Sequence, residues 1–418
     1  MDILQVRGGQ PLRGRTQVYG AKNAALPILA ATVMTEGYSE IAGVPDLEDI
    51  RVMLRILEHL GAKVRREGDV LHIDASDIDS TDVPLALMRR MRSSIFLMGP
   101  LLARCGEVTV SKPGGCVIGQ RPIDYHLRGM RLLGATLEEE HGTIHCSSNR
   151  LKGTSITLDF PSVGATENLM MAAALADGQT LLENVAREPE VVDLANFLRG
   201  CGADIEGAGE DTIRIRGTHH LSGCNYRVIP DRIVAGTWMI AAVATGGSVE
   251  LTHCEPAHLR ALISKLRDIG ATIDICGTSV NVVGPKRLLP IQARTSPHPG
   301  FPTDLQAPLM ALLARASGGS IIREDVFEAR FKHVGELIRM GADITVDGRV
   351  AMIKGVSTLS AADVEAADLR GGAALVVAGL MAQGVTKISG VYHIDRGYQQ
   401  IEVFLRDLGA DIQRIAVG

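Results

Sequence analysis

The sequence predicts an α/β protein of two domains, built from six repeated units. One observation is a short phrase that recurs six times, as "HLGAKV", "LLGATL", "GCGADI", "DIGATI", "RMGADI" and "DLGADI". The central glycines of the phrase lie 68 to 73 residues apart, at Gly61, Gly134, Gly202, Gly270, Gly341 and Gly409. The other observation is the length of 418 residues, because a single core stops growing at about 250–300 residues.

The first recurring element is an amphipathic helix that precedes each phrase. Before "DIGATI", for example, Leu259, Leu262, Ile263 and Leu266 recur at helical spacing. A glycine just past the last periodic residue adopts the left-handed conformation that caps a helix. The β-rich run that follows each glycine predicts strands after the helix.

The second recurring element is a helix rich in small apolar residues, as in "NAALPILAATVMTEG", "ENLMMAAALADG" and "GAALVVAGLMAQG". A helix that is apolar on nearly all faces is buried. Each unit therefore reads strand, helix, strand, helix, strand, strand, with three buried helices at the centre of each domain. An ordinary doubly wound parallel sheet is the alternative, but the sequence has neither a GxGxxG fingerprint nor a P-loop to support it.

Composition excludes several classes of protein. A formal charge of −5 and 3% aromatic residues argue against a nucleic-acid binder and against a DNA-encircling clamp. No basic segment followed by an apolar run opens the chain, and no uninterrupted apolar stretch approaches a membrane span. Seven cysteines without regular spacing, and no metal-ligand cluster, predict a soluble cytoplasmic protein that needs no metal and no cofactor.

The loop "PGGCVIGQRP" contains the cysteine with the strongest claim to reactivity, Cys116. Free cysteines are usually buried, and we expect that for the other six. The glycines around Cys116, however, favour an exposed loop, and Lys112 and Arg121 would favour its thiolate. Cys116 is therefore a candidate acid, base or nucleophile.

Polar residues recur where the small-residue helices begin. Lys22 and Asn23 precede the first of these helices, whose N-terminus favours anions. The corresponding junctions and the starts of later amphipathic helices supply Arg92, Ser162, Val163, Gly164, Asp231, Arg232, Asp304, Arg330, Asp368, Arg370 and Arg396. A lone lysine here is usually solvated, and each arginine has carboxylates nearby to pair with. Several together indicate a substrate with phosphate and carboxylate groups.

These motifs resemble those of the UDP-N-acetylglucosamine enolpyruvyl transferases. The matching stretches include "GAKNAALPI", "PGGCVIGQRPID", "SVGATEN", "PHPGFPTDLQA", "FEARFKHV" and "YHIDRGY", and the resemblance covers essentially the whole chain. It implies a two-domain inside-out α/β barrel with three units per domain. Residues 21–229 would form one domain, residues 1–20 and 230–418 the other, with the active site in the cleft between them.

The resemblance also implies a reaction, the transfer of enolpyruvyl from phosphoenolpyruvate to the 3-hydroxyl of UDP-N-acetylglucosamine at the start of peptidoglycan synthesis. Cys116 would be a proton donor or hold a phospholactoyl adduct, and would be the target of fosfomycin. Asp304 would be the base or orienting group. Lys22, Arg121 and Arg396 would face the donor phosphate, Arg330 and Arg370 its carboxylate, with Asn23, Arg92 and Asp368 in support. Nucleotide contacts would come from Arg121, Pro122, Ile123, Asp124, Ser162, Val163, Gly164, Val326 and Phe327.

Two departures from the family pattern concern the diphosphate. Glu48 and Phe160 stand where some members have a lysine, which leaves the number of diphosphate contacts open. The shikimate-pathway enolpyruvyl transferase and a catalytically silent UDP-sugar-binding paralogue are the alternatives. The cysteine loop favours the UDP-sugar enzyme over the first, and the presence of Lys22, Cys116, Asp304 and Arg396 argues against the second. A homo-oligomer is compatible with the sequence.

Overall fold

The computed structural model describes residues 2–89, 91–111 and 123–416. The described chain forms two compact units. The middle unit comprises the described residues from 20 to 229, and the terminal unit comprises residues 2–19 and 230–416. Each unit has its own core of buried apolar side chains.

In the middle unit, the described residues form seven α-helices and two short 3-10 helices. The α-helices are Lys22–Ala31, Glu48–His59, Leu85–Met88, Met98–Cys105, Asp124–Leu132, Val163–Ala174 and Pro189–Gly200. The 3-10 helices are Thr32–Met34 and Arg92–Leu97. The described strands form three sheets. The first has the order Asn225–Arg227, Tyr38–Ala42, Val70–Asp74, Lys63–Glu67, and the second has the order Asp204–Glu206, Thr212–Arg216, Gln179–Glu183, Ser155–Thr157. The third has the order Glu107–Ser111, Thr143–Ser147, Thr136–Glu140.

The terminal unit has the same kinds of element. Its α-helices, within the described chain, are Arg232–Ala244, Arg260–Ile269, Gln306–Leu313, Val334–Arg339, Leu369–Met381, Val391–Asp395 and Ile401–Asp407, with 3-10 helices at Pro256–Leu259 and Thr303–Leu305. Its larger sheets have the orders Asp363–Glu365, Val385–Ser389, Asp2–Arg7, Asp411–Ala416; Thr272–Cys276, Ser279–Val283, Ser248–Thr252, Arg13–Gln17; and Gln292–Arg294, Gly319–Arg323, Val350–Lys354, Asp343–Asp347. Leu359–Ser360 pairs with Ala382–Gln383.

The repeat glycines end their helices as expected. All six have positive φ, between 89° and 108°, a conformation that costs glycine little and other residues more. The element order strand, helix, strand, helix, strand, strand recurs in the repeats along the chain. In the second repeat, the opening strand is reduced to a single bridge between Asp82 and Thr109. The predicted α/β class and the order of elements are therefore confirmed.

The small-residue helices lie at the centre of each unit. In the terminal unit, the helices Arg232–Ala244, Gln306–Leu313 and Leu369–Met381 pack against one another. In the middle unit, Val163–Ala174 packs against both Lys22–Ala31 and Met98–Cys105. Almost every residue of these helices is buried. The strands form separate small sheets, and no sheet within the described ranges closes into a barrel.

Two repeats exchange their first strands. Arg13–Gln17, the first strand of the first repeat, pairs with Ser248–Thr252 of the fourth. Asn225–Arg227, the first strand of the fourth, pairs with Tyr38–Ala42 of the first. Both pairings are parallel, and both exchanges occur where the chain passes from one unit to the other.

No helix within the described ranges is both long enough and apolar enough to cross a membrane.

Candidate active site

The terminal unit contains a charged cluster in which Asp304 binds two buried arginines. Asp304 lies in the 3-10 turn Thr303–Leu305, just before a buried helix. Its Oδ1 accepts a hydrogen bond from Arg330 Nη2 at 2.6 Å, and its Oδ2 accepts from Arg370 Nη2 at 2.8 Å and from Arg370 Nε at 3.2 Å. Sequence reasoning selected all three residues, and the fold brings them together from positions 26 to 66 residues apart.

The charges of this group are unequal in number and in exposure. Two guanidiniums face the one carboxylate of Asp304, and the charge of Asp231 also acts on Arg370. Burial by itself raises the pKa of Asp304, but Arg370 and Arg330 oppose it and hold that pKa well below the usual range. The Asp304 side chain is 24% exposed, whereas Arg330 and Arg370 are 5% and 7% exposed. The ionised carboxylate of Asp304 is therefore partly exposed to solvent, whereas the two guanidiniums that bind it are buried.

Arg330 is held by a second set of contacts that sequence reasoning did not include. Its Nη1 donates to Thr303 Oγ1 at 3.2 Å, and that hydroxyl donates to the fully buried Glu324 at 2.9 Å. The other oxygen of Glu324 accepts from the backbone N–H groups of Val326 and Phe327, both at 2.9 Å. The Arg330 guanidinium also lies 5.0 Å from the centre of the Phe327 ring. Val326 and Phe327 thus support Arg330. The sequence signal that could have revealed Glu324 is an acidic residue two positions before "VF".

Arg370 has its own buried support. Its Nη1 donates to the Tyr398 hydroxyl at 3.3 Å, and that hydroxyl also contacts Thr237 Oγ1 at 2.9 Å. Burial lowers the pKa of Arg370, but the Asp304 carboxylate raises it, and the net effect is an increase. Tyr398, the last residue of "YHIDRGY", is fully buried. Both guanidiniums are thus fixed before any ligand arrives.

Asp368 is placed at the start of the same helix as Arg370. Its Oδ1 accepts from the backbone N–H groups of Arg370 and Gly371 at 3.0 and 2.8 Å, which makes it the N-cap of the helix. His333 packs beside this cap: a Cβ added to Gly371 would lie 3.1 Å from the Cβ of His333. Burial lowers the pKa of His333 to about 4, with Asp368 opposing the shift and Arg330 assisting it, so the ring is neutral at pH 7.

Arg396 ends the short helix Val391–Asp395 and is partly exposed. Burial, followed by the charge of Arg396, lowers the pKa of His393. The neighbouring Asp395 pairs with Arg414, at 2.6 and 2.9 Å.

In the middle unit, Lys22 is not the solvated lysine that its position at a helix start suggested. Its Nζ lies 3.0 Å from Asp49 Oδ2, and the two side chains are only 9% and 4% exposed. A buried ammonium needs such a partner, because leaving water without one is costly. Asn23, the next residue, is exposed. Sequence reasoning missed Asp49, which follows the departure residue Glu48; Glu48 itself contacts Arg55 at 3.3 Å.

The candidate nucleotide residues that the structure describes in the middle unit lie at two helix starts, whereas Val326 and Phe327 lie in the terminal unit. Asp124 is exposed in the first turn of Asp124–Leu132, directly after Ile123. Ser162 is the N-cap of Val163–Ala174, and its Oγ accepts from Ala165 at 3.4 Å. A Cβ added to Gly164 would lie 3.5 Å from the His126 ring, an ordinary van der Waals distance, so the two helix starts lie close together.

A buried hydrogen-bond network joins these helix starts. Asn168, from "SVGATEN", contacts His126 Nδ1 at 2.9 Å and donates to the Ile95 carbonyl at 2.9 Å. Its Oδ1 accepts from Gly99 N at 2.7 Å. Phe160, the second departure residue, precedes this site and is 40% exposed. An exposed apolar ring therefore stands where some relatives would offer a cation.

Several predicted site residues are not part of the described structure. Cys116, Arg121 and Pro122 lie outside the described residues, and so does the side chain of Arg92. Within the described ranges, no group of three or more His, Cys, Asp or Glu side chains is arranged to hold a metal ion.

The expectation that the remaining six cysteines are buried was wrong for two of them. Cys146, Cys201 and Cys254 are buried and Cys224 is partly buried, but Cys105 and Cys276 are exposed. Cys105 is the last residue of its helix, and Cys276 is the last residue of a strand that leads into a turn. Cys276 also shares a strand face with Thr272 and Asp274, which are exposed.

Comparison with known proteins identifies the family. The family model described as EPSP synthase (3-phosphoshikimate 1-carboxyvinyltransferase) matches residues 6–405. The chain is 52% identical over 415 residues to the UDP-N-acetylglucosamine 1-carboxyvinyltransferase of Desulfatibacillum aliphaticivorans, which covers 99% of this chain and 100% of that relative. It is 53% identical over 419 residues to UDP-N-acetylglucosamine 1-carboxyvinyltransferase 2 of Carboxydothermus hydrogenoformans, with 100% of both chains covered.

Solved structures agree with this result. The enolpyruvyl transferase NikO from Streptomyces tendae superposes with a TM-score of 0.90 at 28% identity, over 100% of this chain and 99% of that one. EPSP synthase from Acinetobacter baumannii superposes with a TM-score of 0.76 at 20% identity over the full length of both chains, which shows the fold alone. The chain therefore belongs to the enolpyruvyl transferase family, in the branch whose relatives are named UDP-N-acetylglucosamine 1-carboxyvinyltransferase.

Proposed function

We propose that this enzyme transfers the enolpyruvyl group of phosphoenolpyruvate to the 3-hydroxyl of UDP-N-acetylglucosamine, with release of phosphate, and so begins peptidoglycan synthesis. The observation that carries the proposal is the identity of about half of all residues, over the full chain, with relatives named for this transfer. The reaction passes through a tetrahedral adduct and needs an acid, a base and fixed positive charge. The substrates are metabolites of the cytoplasm, which is where we place the activity.

Arg330 and Arg370 suit the binding of the donor's carboxylate. Both are buried, already oriented by Thr303 and Tyr398, and bound to the partly exposed carboxylate of Asp304. Fixed guanidiniums bind a carboxylate through paired N–H groups without reorganising when charge develops in the transition state. We assign the donor phosphate to Lys22, Arg121 and Arg396, with Asn23, Arg92 and Asp368 in support.

Asp304 suits the role of an orienting acceptor for the attacking hydroxyl. A carboxylate with a pKa well below the usual range is a weak base, because its proton affinity is low. It is, however, a strong and fixed hydrogen-bond acceptor whose side chain is partly exposed. When the donor's carboxylate engages the two arginines, their hold on Asp304 weakens and its basicity rises towards that of an ordinary carboxylate.

The proton donor in this proposal is Cys116, assigned from the family resemblance of "PGGCVIGQRPID". It delivers a proton to the methylene carbon or holds a phospholactoyl adduct. The nucleotide is assigned to Arg121, Pro122, Ile123, Asp124, Ser162, Val163, Gly164, Val326 and Phe327. We also propose the inside-out arrangement of the family for each unit, which is supported by central helices that are buried and strands whose alternate residues are exposed.

Phosphate release from phosphoenolpyruvate tests the function. The enzyme is assayed with UDP-N-acetylglucosamine or with shikimate 3-phosphate as acceptor, before and after treatment with fosfomycin. We expect release only with the nucleotide sugar, and its loss after fosfomycin. Release with shikimate 3-phosphate would assign the chain to the other branch of the family, and no release with either acceptor would refute the transfer. A Cys116→Asp variant that keeps turnover but resists fosfomycin would assign the epoxide's target.

A further inference from the structure

Two thiols of the middle unit, Cys201 and Cys224, lie in direct contact. Their Sγ atoms are 3.4 Å apart, with Cys201 oriented as the donor. Cys201 is the C-cap of the helix Pro189–Gly200, and Cys224 precedes the strand Asn225–Arg227. Cys201 is 3% exposed, whereas Cys224 is partly exposed. Neither residue belongs to the site proposed above.

A second set of contacts holds the same two elements together. Asp193, from the helix, accepts a hydrogen bond from the Tyr226 hydroxyl at 2.6 Å and from Ile229 N at 3.2 Å. The rings of Phe197 and Tyr226 meet edge to face, with centroids 5.7 Å apart. The thiols are therefore held near each other by contacts that do not involve sulfur, and their reaction would be effectively intramolecular.

The two thiols differ in reactivity. The hydrogen bond donated by Cys201 lowers the pKa of Cys224, although partial burial opposes this effect. The same hydrogen bond, followed by burial, raises the pKa of Cys201. The thiolate is the reactive form of cysteine. Cys224 is thus the more accessible sulfur, and Cys201 is placed to attack whatever forms on it.

We propose that Cys201 and Cys224 form a reversible disulfide when the protein meets a low-molecular-weight disulfide. The Cys224 thiolate attacks one sulfur of the small disulfide, forms a mixed disulfide and expels one thiolate. Cys201 loses its proton, attacks the Cys224 sulfur and expels the second thiolate. The two protein thiols are oxidised by two electrons, and one small disulfide is reduced to two thiols.

The local structure leaves room for this bond. The sulfurs need to approach from 3.4 Å to about 2.05 Å. Cys224 leads into a three-residue strand at the edge of its sheet, where a small shift breaks few backbone hydrogen bonds. Gly200, next to Cys201, has no side chain, and a Cβ there would lie 3.4 Å from the sulfur of Cys224. The bond would tie the end of the helix to the last strand before the chain leaves the middle unit.

The test is to incubate the full chain with oxidised glutathione, block the remaining thiols with N-ethylmaleimide and map the peptides by mass spectrometry without reduction. We expect a peptide pair linked through Cys201 and Cys224, with no retained glutathione, reversed by dithiothreitol. Because the bond closes a loop of more than 20 residues, we expect the melting temperature of the oxidised protein to rise by about 5–10 °C.

Variants separate this reaction from unspecific oxidation. In Cys201→Ser, glutathione should remain on Cys224, because no second thiol can expel it. Cys276→Ser removes an exposed cysteine and should leave the linked pair unchanged. The proposal is wrong if the unmutated protein keeps glutathione on Cys224, or if both sulfurs stay open to N-ethylmaleimide while exposed Cys276 is modified. Mapping of the unmutated protein decides the matter even if Cys201→Ser does not fold.

Discussion

At the scale of single residues, the structure explains why Asp304 is more than one acidic group among 48. The carboxylate is held ionised by Arg330 and Arg370, which are themselves fixed by Thr303 and Tyr398. A carboxylate so placed accepts a hydrogen bond in a fixed direction at any physiological pH. This supports the assignment of Asp304 to the attacking hydroxyl.

Replacing Asp304 with asparagine should separate turnover from donor binding. Without the carboxylate, we expect kcat to fall by about 100- to 1000-fold, the scale of losing one fixed hydrogen-bonding group at the reacting centre. The KM for phosphoenolpyruvate should not rise, because the arginines lose the charge that competes with the donor. Steady-state kinetics measure both constants. Asp411→Asn, which removes an exposed partner of Arg7, is the control. An unchanged kcat in Asp304→Asn would contradict the assignment.

Glu167 offers a prediction about the pH dependence of stability. Within the described residues, its two buried carboxyl oxygens have no hydrogen-bond partner. Burial, followed by Glu190 and Glu188, raises its pKa well above the usual range. The folded state therefore binds this proton more tightly than the unfolded state. Wild-type stability should fall, relative to Glu167→Gln, as the pH rises above the ordinary glutamate pKa of about 4.3.

Melting temperatures from about pH 4.5 to 8 measure this effect. We expect the difference between Glu167→Gln and the wild type to move by several degrees in favour of the variant across that range. Glu210→Gln, at an exposed position, should show no such trend. A difference that stays constant with pH would show that Glu167 is ionised in the folded protein.

At the scale of elements, the six repeat glycines act as helix terminators. Gly341 follows the helix Val334–Arg339 and has φ of 90°, with no heavy atom within 4 Å of an added Cβ. An alanine there would be strained only by its backbone conformation. Gly335 lies inside the same helix, also with open space around an added Cβ, but in a conformation that alanine favours.

These two glycines should respond to alanine in opposite directions. Gly341→Ala should lower the free energy of unfolding by about 1 kcal/mol, because the left-handed conformation disfavours a Cβ. Gly335→Ala should raise it by about 0.5–1 kcal/mol, because alanine is the better helix former. Denaturant unfolding measures both. Equal effects of the two substitutions would argue against the terminator role of Gly341.

At the scale of the whole molecule, the terminal unit depends on both ends of the chain. The strand Asp2–Arg7 lies between Val385–Ser389 and Asp411–Ala416 in one sheet. Leu4 and Val6 of this strand are fully buried, whereas Gln5 between them is not. The N-terminal strand thus completes the sixth repeat, which the C-terminal segment leaves one strand short.

Shortening Leu4 should therefore destabilise the terminal unit. We expect Leu4→Ala to lower the free energy of unfolding by about 2–5 kcal/mol, the usual effect of a cavity in a packed core. Gln5→Ala, on the other face of the strand, should change it by no more than about 0.5 kcal/mol. Denaturant unfolding followed by circular dichroism compares the two. Similar losses for both would show that the inward face of this strand does not contribute as described.

The sequence by itself determined the repeat, the order of elements and the burial of the central helices. Those features depend on local patterns: a glycine after an amphipathic segment, or a run of small apolar residues, has the same consequence wherever it occurs. The family could also be recognised from short motifs, and with it Asp304, Arg330 and Arg370 as site residues.

Only the tertiary structure decided which side chains meet. Three of these contacts join residues 6 to 27 positions apart: Lys22 with Asp49, Glu324 with Arg330 through Thr303, and Cys201 with Cys224. A fourth joins Tyr398 to Thr237, which are 161 positions apart. The exchange of first strands between the first and fourth repeats is of the same kind. No local pattern encodes such contacts, because each depends on how separate elements pack, and packing responds to the volume and charge of the whole core.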